Sequence, residues 1–202
     1  VDVPGRELHP EMFEWPHPGN IPNEMPQLEA LREAMRPFVV RRDKFHTVIA
    51  GYPWFLDWGR DTLIALRGLI RGGYQEIAAG ILRQFASFEE NGTIPNIIHG
   101  NTVGNRDTSD APLWLGVAAR DYVDFYHDSS ILDADCSGRP FRAVLHSIVE
   151  HYMAGTPNGI RTDHQSMLVF SPAHFTWMDT NYPAGTPREG YPVSYTHLTL
   201  PT

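Results

Sequence analysis

The sequence predicts an all-α body of helical hairpins joined by long aromatic-rich loops, with short strands before residue 51 and in the loops. Three observations predict it. Apolar residues recur at helical spacing over four successive segments, so each carries a stripe that must be buried against a neighbour. Stretches rich in Gly, Pro and Asn separate those segments. Strand-like alternation of β-branched residues is confined to one short run.

In chain order, residues 1–26 are crowded with prolines ("WPHPGNIPNEMP") and read as an irregular leading segment or linker. "QLEALREAM" reads as a short helix ending at Pro37, and "FVVRRDKFHTVIAG" as one or two short strands. A helix over 61–72 stops at Gly72-Gly73. A second over 74–88 sets Ile77, Ile81, Phe85 and Phe88 on one face. "ENGTIPNIIHGNTVGNRDTSD" is a long loop, in which Asn91-Gly92-Thr93 reads as a tight turn. Residues 109–127 form the clearest helix, with Ala111, Trp114, Leu115, Ala118, Tyr122 and Phe125 spaced i, i+3, i+4, i+7, and Ser109 or Asp110 as its cap. A further helix over 140–154 aligns Phe141, Val144, Leu145, Ile148 and Tyr152. Residues 155–193 are polar and rich in Gly and Pro, with one apolar run, "SMLVF". Loops 51–61, 91–108 and 171–190 are expected on one face, because sites are built on loops at one end of a helical scaffold.

Composition narrows the function classes. The 202-residue chain is 42% apolar and 20% charged, ordinary for a folded domain, and its net charge of −8 argues against a nucleic-acid partner. No run of about 18 apolar residues offers a membrane span. Cys136 is the only cysteine, so no internal disulfide can form. With no leader-like start, the expectation is a cytoplasmic protein. "HSIVEH" has the wrong spacing for an inverted zinc motif, and no H-E-x-x-H, P-loop, G-x-G-x-x-G or G-x-S-x-G occurs. No metal and no cofactor are expected.

The loops point to sugar. "GYPWFLDWGRDT" (51–62) puts aromatics and charges side by side. A sugar has an apolar ring face and a hydroxyl rim. Trp54, Phe55 and Trp58 can supply a platform, and Asp57, Arg60 and Asp61 the rim contacts. The competing reading makes the tryptophans core residues, Arg60–Asp61 an ion pair and Asp61 a helix cap. "NRDTSDAPLW" repeats the theme with Asp107, Thr108, Asp110 and Trp114, where caps are the competing reading. "FTWMDTNYPAGTPREG" repeats it again with Trp177, Asp179 and Arg188. Glycoside hydrolysis needs two carboxyl groups across the scissile bond, one as acid. A carboxyl beside tryptophan in a poorly solvated loop has its pKa raised, which suits Asp179 for that role.

"TVIAGYPWFLDWGRDTLIAL", "NGTIPN", "DTSDAPLWL" and "TWMDTNYPAGTPREGYPV" together resemble the amylo-alpha-1,6-glucosidase domain of glycogen debranching enzymes, collinearly from about residue 28 to Val193, and are most similar to the bacterial form. The resemblance implies an (α/α)6 toroid of six helical hairpins. It implies a glycogen or branched alpha-glucan substrate, and hydrolysis of the alpha-1,6-linked glucosyl stub with inversion and release of glucose. By matching motif, Asp179 would be the general acid, and Arg60 and Asp61 would hold the terminal glucose. Trp58, Trp177 and Trp54 would wall the subsite. Asp57, Asp110, Trp114 and Arg188 complete the set of substrate-binding candidates.

The chain departs from that pattern after Val193, where it reads "SYTHLTLPT". The expectation is a first, truncated half of the toroid over 27–193, followed by a non-native tail over 194–202. The catalytic base would lie beyond it, a β-rich domain would precede it, and the piece alone would be inactive and poorly soluble. Two alternatives stay open: another (α/α)6 alpha-glucosidase of glucoamylase or trehalase type, and a non-catalytic carbohydrate-binding helical module.

Overall fold

A computed structural model describes residues 27–100 and 102–177. The chain divides into two compact units, Val1–Pro37 and Phe38–Thr202. In the first, helix α1 (Gln27–Met35) ends, as expected, in front of Pro37 and runs into a single 3-10 turn, Arg36–Phe38.

The second unit is organised around two parallel helices, α2 (Gly59–Arg71) and α4 (Ala111–Tyr126), which form its most extensive described helix interface. Their direction is read from three contacts. Arg60 meets Asp110 at the amino ends, Arg67 meets Asp121 further along, and the Tyr126 hydroxyl donates to the Ile70 carbonyl (2.8 Å) near the carboxyl ends. Parallel neighbours need a return element, and α3 (Gln75–Ser87) supplies it. Gly72 and Gly73 end α2 where the pattern predicted, and α3 packs back against both partners. Leu63, Leu66 and Ile70 of α2, Ile81, Leu82 and Phe85 of α3, and Leu115 and Ala118 of α4 are fully buried in the shared core. Helix α5 (Phe141–Ala154) buries Phe141, Val144, Ile148 and Tyr152 of its expected stripe, with Leu145 half-buried.

The buried face of α3 is turned one residue from the predicted one. Ala78, Ile81, Leu82, Phe85 and Ala86 are buried, while Ile77 and Phe88 are half-buried. The reason is a second neighbour. The strand Phe45–Val48 lies against α3, and a Cβ at Gly80 would sit 3.1 Å from the Phe45 ring, so small residues let the strand approach. On α4, Trp114 and Phe125 stand at the margin of the stripe rather than in it. Phe125 is 39% exposed, with the Arg71 guanidinium 5.2 Å from its ring centre.

Strands β1 (Val39–Arg42) and β2 (Phe45–Val48) form the antiparallel hairpin expected before residue 51, turning through Asp43 at positive φ. The long loops carry three small antiparallel ribbons: β3 (Asp57–Trp58) with β4 (Ile97–His99) and β5 (Thr102–Val103); β6 (Asp135–Cys136) with β7 (Arg139–Pro140); β8 (Arg161–Thr162) with β9 (Val169–Phe170). Glu90 and Thr93 pair across Asn91-Gly92, both at positive φ, which is the two-residue turn this dipeptide favours. Beside that turn, the Glu89 side chain is fully buried. It accepts from Gly92 N–H (2.7 Å) and Ser147 Oγ (2.8 Å) and pairs with Arg139, tying the end of α3 to α5.

Candidate active site

Because α2 and α4 are parallel, their amino ends meet at one end of the helical body. The loops before them, and the segment after α5, meet there too. The Arg60 Nε donates to Asp110 Oδ2 at 2.6 Å, joining the first turn of α2 to the residue before α4. The Ser109 backbone N–H donates to the Phe175 carbonyl (2.7 Å), its hydroxyl lies 2.8 Å from that of Ser171, and the Tyr152 hydroxyl donates to the Ser109 carbonyl (2.7 Å). Of the loops expected on one face, 51–61 and 91–108 are joined by Gly59 N–H to the Asn96 carbonyl, and the described part of the third bonds to Ser109, one residue beyond the second. Two helix amino ends bring partial positive charge to that face.

Gly59 makes the junction possible. Its N–H donates to the Asn96 carbonyl (3.0 Å), and a Cβ there would sit 2.5 Å from the Pro95 carbonyl oxygen. Helix α2 thus starts at Gly59, two residues earlier than predicted, and Asp61 lies in its first turn rather than capping it. The cap of α4 also differs from expectation. Thr108 Oγ1, not Ser109 or Asp110, accepts from Ala111 N–H (3.2 Å), because Ser109 is drawn to Ser171 and Phe175.

A cavity of about 330 Å³ opens beside this junction, lined by Val48–Gly51, Arg60, Asp61, Ile64 and Ala65. Asp61 is exposed to it and Arg60 forms part of its wall. Turn 51–56 closes through Trp54 N–H to the Gly51 carbonyl (3.1 Å). That turn holds Trp54 84% exposed and Phe55 61% exposed. Trp54 is therefore not a core residue, contrary to the competing reading of the two tryptophans in this stretch. Trp58, the residue before α2, is half-buried. Trp177 is 65% exposed at the edge of the described segment. Trp114 is half-buried one turn into α4, with the Arg67 guanidinium 5.7 Å from its ring centre.

Asp57 does not join this group. Successive residues of a strand point to opposite faces, so β3 turns Asp57 inward and Trp58 the other way. The Asp57 side chain is 3% exposed; Oδ1 accepts from Thr47 (2.7 Å) and Thr62 (3.3 Å). Arg42 Nε lies 3.1 Å from Oδ2, an ion pair without hydrogen-bond alignment. Burial raises the Asp57 carboxyl above its ordinary value, against the opposing pull of Thr47, Arg42 and Thr62. Arg42 in turn donates to the Gly100 carbonyl in the β4–β5 turn. Asp57, expected as a rim contact to sugar, ties the β1–β2 hairpin to α2 and is not among the residues lining the cavity. Asp110 is likewise enclosed. Its side chain is 4% exposed, with Oδ1 taken by Thr108 (2.9 Å) and Oδ2 by Arg60. Arg60 pairs with Asp110, not with its chain neighbour Asp61. Asp179 and Arg188 lie outside the described residues. Among the described residues no group of three His, Cys, Asp or Glu side chains is placed to hold a metal ion, and no helix is long and apolar enough to cross a membrane.

Sequence reasoning passed over Thr108 as a partner of Asp110. The signal was present, since a hydroxyl two residues before a carboxylate at a helix start can bond to it. An arginine and a carboxylate in the wall of an open cavity can grip hydroxyls, and the exposed rings of Trp54 and Phe55 stand in the turn that follows the lining residue Gly51. A family model for amylo-alpha-1,6-glucosidase matches residues 33–201.

Proposed function

The chain belongs to the amylo-alpha-1,6-glucosidase family, and from that premise we propose that it forms part of the glucose-binding pocket of an enzyme that removes alpha-1,6-linked glucosyl branch residues from glycogen or limit dextrin. Membership points to a glycosidase-type enzyme of glucan metabolism. The finer reading concerns the bond and the residues. Arg60 and Asp61 hold the hydroxyls of the terminal glucose. Trp58, Trp54 and Trp177 wall the ring. The observation that carries this reading is the cavity wall formed by Arg60 and Asp61 at the shared amino ends of α2 and α4. The parallel pairing of those helices supports an (α/α)6 arrangement, in which inner helices lie parallel and outer ones return.

In this reading Asp179 is the general acid. It donates its proton to the glycosidic oxygen as the bond from C1 to that oxygen breaks. A water attacks C1 from the opposite face and gives its proton to a second carboxylate. Inversion sets the two carboxyls about 6.5–9.5 Å apart to admit the water. No described residue is assigned as that base.

The test is glucose release from a branched limit dextrin by the full protein carrying this domain, against Asp179→Asn. Loss of several orders of magnitude, with oligosaccharide binding retained, supports both the substrate and the acid. Equal activity of the two removes Asp179 from the role. Maltose and trehalose as parallel substrates separate debranching from glucoamylase-like or trehalase-like chemistry. Binding without release of any glucose would leave a carbohydrate-binding module.

A further inference from the structure

We propose that Asp110 is a positioning residue: with Thr108 it forms a buried relay that aims the Arg60 guanidinium at the cavity, and it does not itself touch sugar. The inference rests on the proposed role of Arg60 as a sugar contact. Three observations carry it. Both Asp110 oxygens are committed, Oδ2 to Arg60 Nε (2.6 Å) and Oδ1 to the Thr108 hydroxyl (2.9 Å). The carboxylate is 4% exposed and stands outside the cavity lining, whereas Arg60 is in it. Thr108 is itself fully buried and receives the Ala111 N–H, so its hydroxyl must point its own proton at Asp110.

The geometry has a chemical consequence. A guanidinium is a planar fork with three nitrogens, and gripping one by Nε fixes the plane of all three. Among the described residues, Arg60 makes no other hydrogen bond, so its two terminal nitrogens are uncommitted in a residue that lines the cavity. A carboxylate held at Nε removes the rotational freedom that a hydroxyl-binding arginine would otherwise lose on meeting its ligand. Lysine at position 60 would keep the charge but have no Nε to be gripped. The relay also explains why Thr108 caps α4. One hydroxyl accepts the helix N–H and orders the carboxylate, so the start of α4 and the aim of Arg60 are set together.

Two readouts test this in the full protein. The first is kcat/KM for limit dextrin in Asp110→Asn, Arg60→Lys and the double variant, with Thr108→Val and Thr108→Ser. Asp110→Asn should lower kcat/KM by up to about a hundredfold, as small misplacements of a binding group do. In the Arg60→Lys background the same change should cost less than about threefold, because there is no fork left to aim. Thr108→Val should weaken turnover, and Thr108→Ser should restore it. If the losses of the two single variants multiply in the double variant, Asp110 touches substrate independently and the proposal is overturned. If Asp110→Asn loses activity only in proportion to unfolded protein, the role is structural and the proposal is again overturned. The second readout needs no substrate. The Arg60 Nε–H resonance should be sharp and protected from exchange in the wild type and lost in Asp110→Asn. An unchanged resonance sinks the relay. Absence of glucose release by the wild type would instead reject the debranching reading, while the resonance still decides the relay.

Discussion

At Asp110 and at Glu89 the chain buries a carboxylate against an arginine and a hydroxyl, yet the two junctions face different surroundings. Asp110 joins the amino ends of α2 and α4, and its arginine forms the wall of an open cavity. Glu89 joins the end of α3 to α5, and its arginine, Arg139, spends its terminal nitrogen on both the Glu89 carbonyl and the carboxylate. One fork is held by Nε and leaves its two ends uncommitted in a residue that lines a cavity; the other is held by an end. The chemistry of a buried ion pair therefore says little about function. Which nitrogen is gripped, and what lies beyond the others, says more.

Breaking the Glu89 junction should give the largest effect. Arg139→Met leaves a fully buried carboxylate without its cation, and loss of one partner from a buried pair costs about 3 kcal/mol or more. Urea unfolding should register that loss while KM of the folded protein stays unchanged. Glu89→Gln should cost less, since Arg139 is 38% exposed and can be hydrated instead.

Asp57 sharpens the comparison, because there a buried carboxylate faces an arginine without hydrogen-bond alignment. Its carboxyl is raised above the ordinary 3.8, first by desolvation. The folded chain therefore binds that proton more tightly than the unfolded chain. The contribution to stability is greatest below 3.8 and is lost as pH rises from there through the folded value. The stability advantage of the wild type over Asp57→Asn, measured by thermal melts across acid to neutral pH, should shrink as pH rises. An advantage that grows would mean that the Arg42 attraction outweighs burial.

The smallest stability effect is expected at Trp54. It is 84% exposed, so Trp54→Ala should change folding stability by no more than about 0.5 kcal/mol. Loss of its apolar face to a sugar ring, about 1 kcal/mol, should weaken maltooligosaccharide binding about fivefold. Calorimetric titration checks both halves; unchanged binding would place the glucan elsewhere than this turn.

Much of the scaffold was legible from the residues alone. Helical spacing located α2 to α5 to within two residues at each end, since a stripe of Leu, Ile and Phe at that period has one way to be buried. Gly72-Gly73, Asn91-Gly92 and Pro37 marked real stops and turns, because their backbone preferences are local. The aromatic crowding at 51–58 also marked an unusual surface, and Trp54 and Phe55 do stand in solvent.

The rest depended on what came near in space. Nothing in "DWGRD" distinguishes a sugar-facing aspartate from a strut. The pairing of β3 with β4 turned Asp57 inward and left Asp61 at the cavity. Ser109, Asp110 and Thr108 are all good caps by type, and the choice of Thr108 followed from Ser171 and Phe175 competing for Ser109. Arg60 could have paired with its neighbour Asp61; a residue fifty positions away took it instead, because α2 and α4 lie parallel. Sequence by itself determined which segments fold and which loops are crowded with aromatic and charged residues, since periodicity and backbone preference act over a few residues. Tertiary structure decided which charge meets which, since hydrogen bonds and burial act through space and are blind to distance along the chain.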